Sequence, residues 1–207
     1  MGYYPIFVNL TGRRCLVIGG GAVAERKVEG LLQAGANVAL VSPDLTATLA
    51  AWAEDKKITH FARDYRPGDL TGYRFAFVAT DDPKVNLAAY HEGRERGVLV
   101  NVADDPAHCD FILPSVLRRG ELTVAVATDG SSPALSRAIR EELEQYFTDD
   151  YAVLSRIVAE VRRELRERGS SAGPEIWRRA LNGSLRKMLQ RGDIEGAKRY
   201  LREQVSV

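Results

Sequence analysis

Residues 14–35, RCLVIGGGAVAERKVEGLLQAG, pass from a short apolar run through three glycines into an amphipathic helix. Arg14 to Ile18 reads as a strand. Val23, Val28, Leu31 and Leu32 are spaced for one buried helical face, and Gly35 ends the helix. Between strand and helix lies Gly19-x-Gly21-x-x-Ala24. Glycine at 19 permits a tight turn, and glycine at 21 lets a pyrophosphate approach the backbone. The small residue at 24 lets helix and strand pack closely. A phosphate there meets the free N–H groups of the first turn, at Ala22 and Val23, and the positive end of the helix. A glycine-rich turn without a ligand shares the bare pattern. The strand before it, the helix after it and the second strand beyond it favour a dinucleotide.

Outward from this unit the alternation continues. Asn37 to Val41 is a second strand, stopped by Ser42-Pro43, and Thr46 to Glu54 is helical. Ile58 to Ala62 is a weaker strand and Arg74 to Ala79 a strong one. Asp82 is placed to cap a helix with Pro83 in its first turn; it runs through Leu87 to Arg96 and ends at Gly97. Val98 to Val102 is the fifth strand. Strands alternating with helices, with near-continuous apolar strands such as FAFVA, imply α/β architecture: a Rossmann-like, doubly wound parallel sheet over residues 1–112. Then the pattern changes. Phe111 to Leu117 and Leu122 to Ala127 read as a hairpin joined by Arg118-Arg119-Gly120-Glu121, and a helix opens at Ser131-Ser132-Pro133 and runs to about Phe147. A two-stranded hairpin is marginal alone. Residues 113–148 therefore read as a small α+β dimerisation domain and the protein as a homodimer. From Tyr151 the chain is helical, with Leu154, Ile157, Val158, Val161 and Leu165 on one face. After a break at residues 169–174, helices follow over Glu175 to Gln190 and Asp193 to Gln204, so residues 149–207 form a C-terminal helical domain.

Composition excludes several classes. Of 207 residues, 45% are hydrophobic and 28% charged, which is globular rather than disordered. No apolar run approaches the ~18 residues of a membrane span, and the opening MGYYPIF lacks the pattern of a secretion signal. Cys15 and Cys109 are too few for a disulfide framework or a four-cysteine metal site, so a reducing cytoplasm is expected and no resident metal. Net charge is +1, but residues 151–207 hold 13 basic against 7 acidic side chains. Such a tail is a solvated helical face, or it attracts a polyanionic small molecule or nucleic acid.

Ligands of open parallel sheets bind beyond the carboxyl ends of the strands. Those ends carry Ser42-Pro43-Asp44, Thr80-Asp81, and Asn101-Val102 followed by Asp104. Ser42 stands where a ribose-binding acid is usual, and Asp44 follows two residues later. No Arg or Lys between Ser42 and Thr48 is present to meet a 2′-phosphate, so NAD is favoured over NADP. Thr80 belongs near the nicotinamide ribose, and Asp104 near the nicotinamide and its substrate. Asp81 and Asp82 also read as helix caps, and Asp104-Asp105-Pro106 as a turn. Thr128-Asp129-Gly130-Ser131-Ser132-Pro133 offers hydroxyls at a helix N-terminus, suited to a carboxylate or phosphate, or simply a cap. His60 and His91 read as structural; His108, near Asp104, is within sequence reach of a metal or a proton.

Several segments together resemble the siroheme synthase N-terminal region family. They are Pro5-Ile6-Phe7, Cys15 to Gly21, Val23-Ala24-Glu25-Arg26-Lys27, Ala79-Thr80-Asp81-Asp82, Asn101-Val102-x-Asp104, Phe111-Ile112-x-Pro114-Ser115 and Ser132-Pro133. The likeness runs over about residues 3–145. Family members are precorrin-2 dehydrogenases, often also sirohydrochlorin ferrochelatases. The resemblance implies hydride transfer from precorrin-2 to NAD⁺, giving sirohydrochlorin, followed in bifunctional members by Fe²⁺ insertion to give siroheme. It implies Asp104 as the essential carboxylate, acting as general base. It places tetrapyrrole binding at Thr128, Ser131 and Ser132, with His108 nearby, and it implies dimers paired through the second domain. The serine phosphorylated in some members stands here as Thr128. The end at residue 207 reads as the stand-alone form, without a methyltransferase module. A dehydrogenase without chelatase activity is the nearest alternative. An NAD-binding, redox-sensing regulator and a tetrapyrrole carrier are more distant ones. No recognition motif for nucleic acid is present.

Overall fold

The computed structural model describes residues 2–206. Its contacts divide the chain into two compact units, 1–113 and 114–207.

The first unit is a five-stranded sheet in the order β3-β2-β1-β4-β5. Its strands are β1 (Arg14–Ile18), β2 (Asn37–Val41), β3 (Ile58–Phe61), β4 (Phe75–Val78) and β5 (Leu99–Val102). Every pairing is parallel. Alternate side chains serve opposite faces. Cys15 and Val17 pack with Val38, Leu40, α1 (Ala22–Gln33) and α2 (Ala47–Glu54). Leu16 and Ile18 pack with Ala39, Val41 and α3 (Pro83–Arg96) on the other side. Both faces are covered, which is why the strands read as continuous apolar runs. The helix ends follow local chemistry. Thr46 caps α2 through Leu49 N (3.2 Å), and Asp82 caps α3 through Lys84 N (2.8 Å) with Pro83 first in the helix. Gly97 closes α3 in the left-handed region at φ +66°.

The second unit opens with an antiparallel pair, β6 (Ser115–Arg119) and β7 (Leu122–Val126), followed by α4 (Pro133–Tyr146). Helices α5 (Asp150–Glu167), α6 (Pro174–Ala180), α7 (Gly183–Gln190) and α8 (Ile194–Val205) complete it. Its core joins Ile157, Val161 and Leu165 of α5 to Ala180, Leu185, Leu189, Ala197, Leu201 and Val205. Burying a Leu or Ile side chain stabilises by roughly 1.5–3 kcal/mol, whereas an exposed ion pair such as Arg178–Glu175 contributes about 0–1 kcal/mol. Apolar packing therefore holds this unit, and the arginines decorate it. The hairpin and the C-terminal helices, given above as separate regions, fall in one unit here. Gly120 backs onto Ala152 of α5, where an added Cβ would sit 3.1 Å from the alanine Cβ.

Three expectations are corrected. Residues 175–190 do not form one helix. Asn182 interrupts the run: its Oδ1 accepts from Ser184 N (2.9 Å) and Leu185 N (3.2 Å), and its Nδ2 donates to Tyr200 Oη (2.7 Å). Asparagine competes with the helical backbone in this way and starts α7 anew. The first hairpin strand begins at Ser115 rather than Phe111. Pro114 has no N–H to give a ladder, and the Phe111 ring packs edge-on against Phe75 (5.8 Å) and Phe77 (5.5 Å). The turn is also tighter than drawn: Arg119 pairs with Leu122, leaving Gly120-Glu121 as a two-residue loop with φ +57° at the glycine.

Candidate active site

Three successive glycines do three different jobs. Gly19 leaves β1 at φ +113°, and a Cβ there would lie 2.1 Å from Ala79 O. Gly20 lies against the next loop, where a Cβ would fall 1.9 Å from Asp44 O, and its carbonyl accepts from Thr46 N (3.0 Å). Gly21 is the N-cap of α1 with φ −85°, and a Cβ on it would meet no protein atom within 4 Å. The protein itself requires the first two glycines; the third borders open space. No side chain caps α1, so its first-turn N–H groups face that space with the positive end of the helix dipole behind them. This is the cradle a diphosphate needs.

The space is a cleft of about 400 Å³. Gly19, Gly21, Ala22, Val23, Ser42, Pro43 and Thr80 line it, so the structure brings these seven sequence candidates together. Ser42 is buried and spoken for: Oγ donates to Asp44 O (2.7 Å), and its carbonyl bonds His60 Nε2 (2.9 Å). Thr80 Oγ1 donates to Asn86 Oδ1 (2.8 Å) and accepts from Asp82 N (3.2 Å), which shapes the turn after β4.

Other candidates sit away from the lining. Ala24 is fully buried in the core beside β1, the close packing its size allows. Asp44 is exposed at the rim. Val102 is core. Asn101 is buried and structural in its contacts, with Nδ2 donating to Phe111 O (3.0 Å) and Oδ1 accepting from Lys27 Nζ (2.8 Å). Those bonds fasten the loop that follows β5. Cys109 Sγ fastens it further, accepting from Val102 N (3.2 Å) and donating to Asp105 O (3.2 Å). At the head of this loop Asp104 stands exposed at φ +57°. Ala103 N donates to Val78 O (2.8 Å), so this carboxylate follows directly on the tip of β4, whose next residues, Ala79 and Thr80, line the cleft. His108 Nδ1 bonds Asp105 Oδ2 (2.6 Å), with Tyr90 edge-on to its ring at 4.9 Å.

Thr128, Ser131 and Ser132 belong to the second unit, at the head of α4. Ser132 Oγ accepts from Leu135 N (3.2 Å), Ser131 Oγ donates to Thr128 O (2.6 Å), and Thr128 Oγ1 accepts from Ser132 N (3.0 Å). The three hydroxyls thus build the turn and its helix cap.

Sequence reasoning missed four residues. Gly20 was visible in the triple glycine, but its steric role comes from a loop 24 residues later. Lys27 carries a half-buried ammonium. Burial pushes it below the usual lysine value, while Cys109 and Asp104 pull it back up. Asp64 and Tyr65, from the segment after β3, line the cleft and belong to no motif. Both thiols are pushed up by burial, Cys15 to about 11, so neither is poised as a thiolate.

A family model described as putative NAD(P)-binding matches residues 6–115, and one described as sirohaem biosynthesis protein central matches residues 119–146. The siroheme synthase of Nitrosococcus oceani is 41% identical over 199 residues, 95% of this chain and 42% of that protein. That of Chromobacterium violaceum is 38% identical over 208 residues, 100% of this chain and 44% of that protein. The chain thus spans under half the length of these curated relatives. Among solved structures, SirC, a precorrin-2 dehydrogenase, matches with a TM-score of 0.81 at 26% identity, covering 99% of each chain.

Proposed function

The chain belongs to the siroheme synthase N-terminal family, and from that premise we propose that it is an NAD-dependent oxidoreductase that takes a hydride from precorrin-2 to give sirohydrochlorin. One observation carries this reading: the diphosphate cradle after β1 and the exposed Asp104 carboxylate after β5 stand at the same carboxyl edge of one parallel sheet, with only the tip of β4 between them. When bound, the dinucleotide supplies the hydride acceptor. The first turn of α1 holds its diphosphate. Asp104 takes the proton that departs as the new double bond forms, and its exposure leaves room for a large macrocycle. Lys27, Asn101 and Cys109 keep the loop beneath Asp104 in place. In the second unit, the positive end of α4 behind the turn from Thr128 to Ser132, and the basic C-terminal helices, are suited to the carboxylates of the tetrapyrrole.

The reading extends to a second step at the same carboxylate. Inserting Fe²⁺ into sirohydrochlorin displaces two pyrrole protons, and a general base assists that loss. The outer edges of β6 and β7 are unpaired among the described residues, which supports a homodimer built through the hairpin. Two free thiols fit a cytoplasmic setting, and among the described residues no helix is long and apolar enough to cross a membrane.

Incubation with precorrin-2 and NAD⁺, followed by Fe²⁺, tests both steps. The expected result is NADH and sirohydrochlorin in equal amounts, then metallation faster than in a protein-free control. Absence of NADH refutes the dehydrogenase. Metallation at the control rate refutes the chelatase alone.

The cleft also supports NAD over NADP. Asp64, from the segment after β3 next to β2, lines it, and no Lys or Arg among the described residues does. A 2′-phosphate near this carboxylate finds repulsion and no cation, so kcat/KM with NAD should exceed that with NADP by at least about tenfold. Equal values would remove this electrostatic argument.

A further inference from the structure

The mechanism above makes no use of the carboxylate of Glu92. It lies on α3, only 7% exposed, and is fully partnered. Oε1 accepts from Arg96 Nε (2.7 Å) and from the backbone N of Leu70 (3.2 Å), and Oε2 accepts from Tyr65 Oη (2.5 Å). A buried charge is costly unless satisfied in this way, and losing one partner is felt by the rest. The effect of the arrangement is to pin the segment between β3 and β4 onto α3. Within that segment Arg63 grips Asp69 with two bonds of 2.7 Å, and Asp69 also accepts from Arg66 N (2.8 Å). The loop is thus fixed from inside and from outside. What it presents to the cleft is Asp64 and the Tyr65 ring.

The place of that ring says what it meets. The diphosphate sits at α1, above the centre of the sheet, and the adenosine ribose belongs at the tip of β2. Strand order puts β3 beyond β2, on the side away from β5 and Asp104. Tyr65 therefore lies at the adenosine end. The same cleft is lined by the apolar Pro43, directly after β2, and by Val85 of α3, which packs with Tyr65 against one core cluster. Burial and the Glu92 carboxylate raise the Tyr65 phenol above its usual value, so it stays protonated and keeps donating.

We infer that Tyr65 is the aromatic wall against which the adenine of the dinucleotide packs, and that Glu92 is the positioning residue that holds this wall in place. This rests on the dinucleotide reading of the cleft.

Fragments of the cofactor separate its two ends. Calorimetric titration of the whole protein with NAD⁺, AMP and nicotinamide mononucleotide should show Tyr65→Ala weakening NAD⁺ and AMP by about ten- to a hundredfold, as loss of an aromatic–base stack does. Nicotinamide mononucleotide should bind as in the parent. Tyr65→Leu keeps apolar bulk without the ring and guards against collapse of the loop; it should lose AMP nearly as far. Tyr65→Phe keeps the ring and should restore most of the affinity. Glu92→Gln should lower AMP affinity by less than Tyr65→Ala and leave nicotinamide mononucleotide untouched. If folded Tyr65→Ala and Tyr65→Leu bind AMP like the parent, or lose both fragments equally, the wall is not there. If the parent itself binds neither NAD⁺ nor AMP, the cleft is not a dinucleotide site, and the inference falls with that reading.

Discussion

Replacing Asp104 with asparagine should lower the rate of precorrin-2 oxidation by roughly a hundred- to ten-thousandfold, the usual loss when a general base is removed. The substitution is clean on structural grounds. Asp104 occupies the left-handed region at φ +57°, which asparagine tolerates about as well as aspartate. Its side chain is exposed and absent from the cleft lining, so the dissociation constant for NAD⁺ should stay within several-fold of the parent. Asp104→Ala is a poorer probe, because alanine at positive φ adds backbone strain of order 1 kcal/mol to the loss of the base. The measurement is sirohydrochlorin formation by visible absorbance, with NAD⁺ binding followed in parallel. Unchanged turnover would remove Asp104 from the mechanism. Turnover and binding lost together would make it a cofactor ligand instead. A tetrapyrrole carrier would bind its ligand in either form and show no turnover to lose.

Gly21→Asp should produce opposite results in two assays. Position 21 has φ −85° and ψ −174°, ordinary extended backbone, and a Cβ there meets nothing within 4 Å. It is also the uncapped N-cap of α1, where aspartate is among the preferred residues. Stability to urea should therefore hold or rise by a few tenths of a kcal/mol. The new carboxylate, however, enters the space assigned to the diphosphate, with both bulk and like charge. NAD⁺ affinity should fall by more than about a hundredfold. A glycine needed only for folding would give the reverse: lower stability and normal binding. Gly20 supplies that contrast within the same turn, since a methyl group there would run into Asp44 O at 1.9 Å. Normal cofactor binding by Gly21→Asp would end the phosphate-loop assignment.

The central sheet could be read from sequence because its determinants are local. Apolar runs of four or five residues, a glycine bend and a capped helix with Pro83 first each announce themselves within a few positions. Where reading failed, a distant partner had intervened. The run from Glu175 to Gln190 keeps helical spacing throughout, and only the Tyr200 hydroxyl and two backbone N–H groups show why Asn182 stops it. Phe111 has the composition of a strand residue, but two phenylalanines of β4 claim its ring. The site divides in the same way. The glycine turn and the strand-tip residues Ser42, Pro43 and Thr80 follow from topology. Asp104 was visible as a polar strand-end residue, but its role came from family resemblance. Tyr65 gave no signal and Lys27 only membership of a family-like segment, because what makes them matter is Glu92 in one case and Asn101 in the other, 27 and 74 residues away.

The seat of Cys109 gives the experimenter a clock. Its half-buried sulfur is held by the backbone on both sides of Asp104, from Val102 and from Asp105, so release of that clasp should quicken its alkylation. Cys15 is sealed inside β1 and stays silent. The rate of chemical tagging at one sulfur atom in the native protein should therefore follow the opening of the very loop that carries the acid–base group, with no label engineered in.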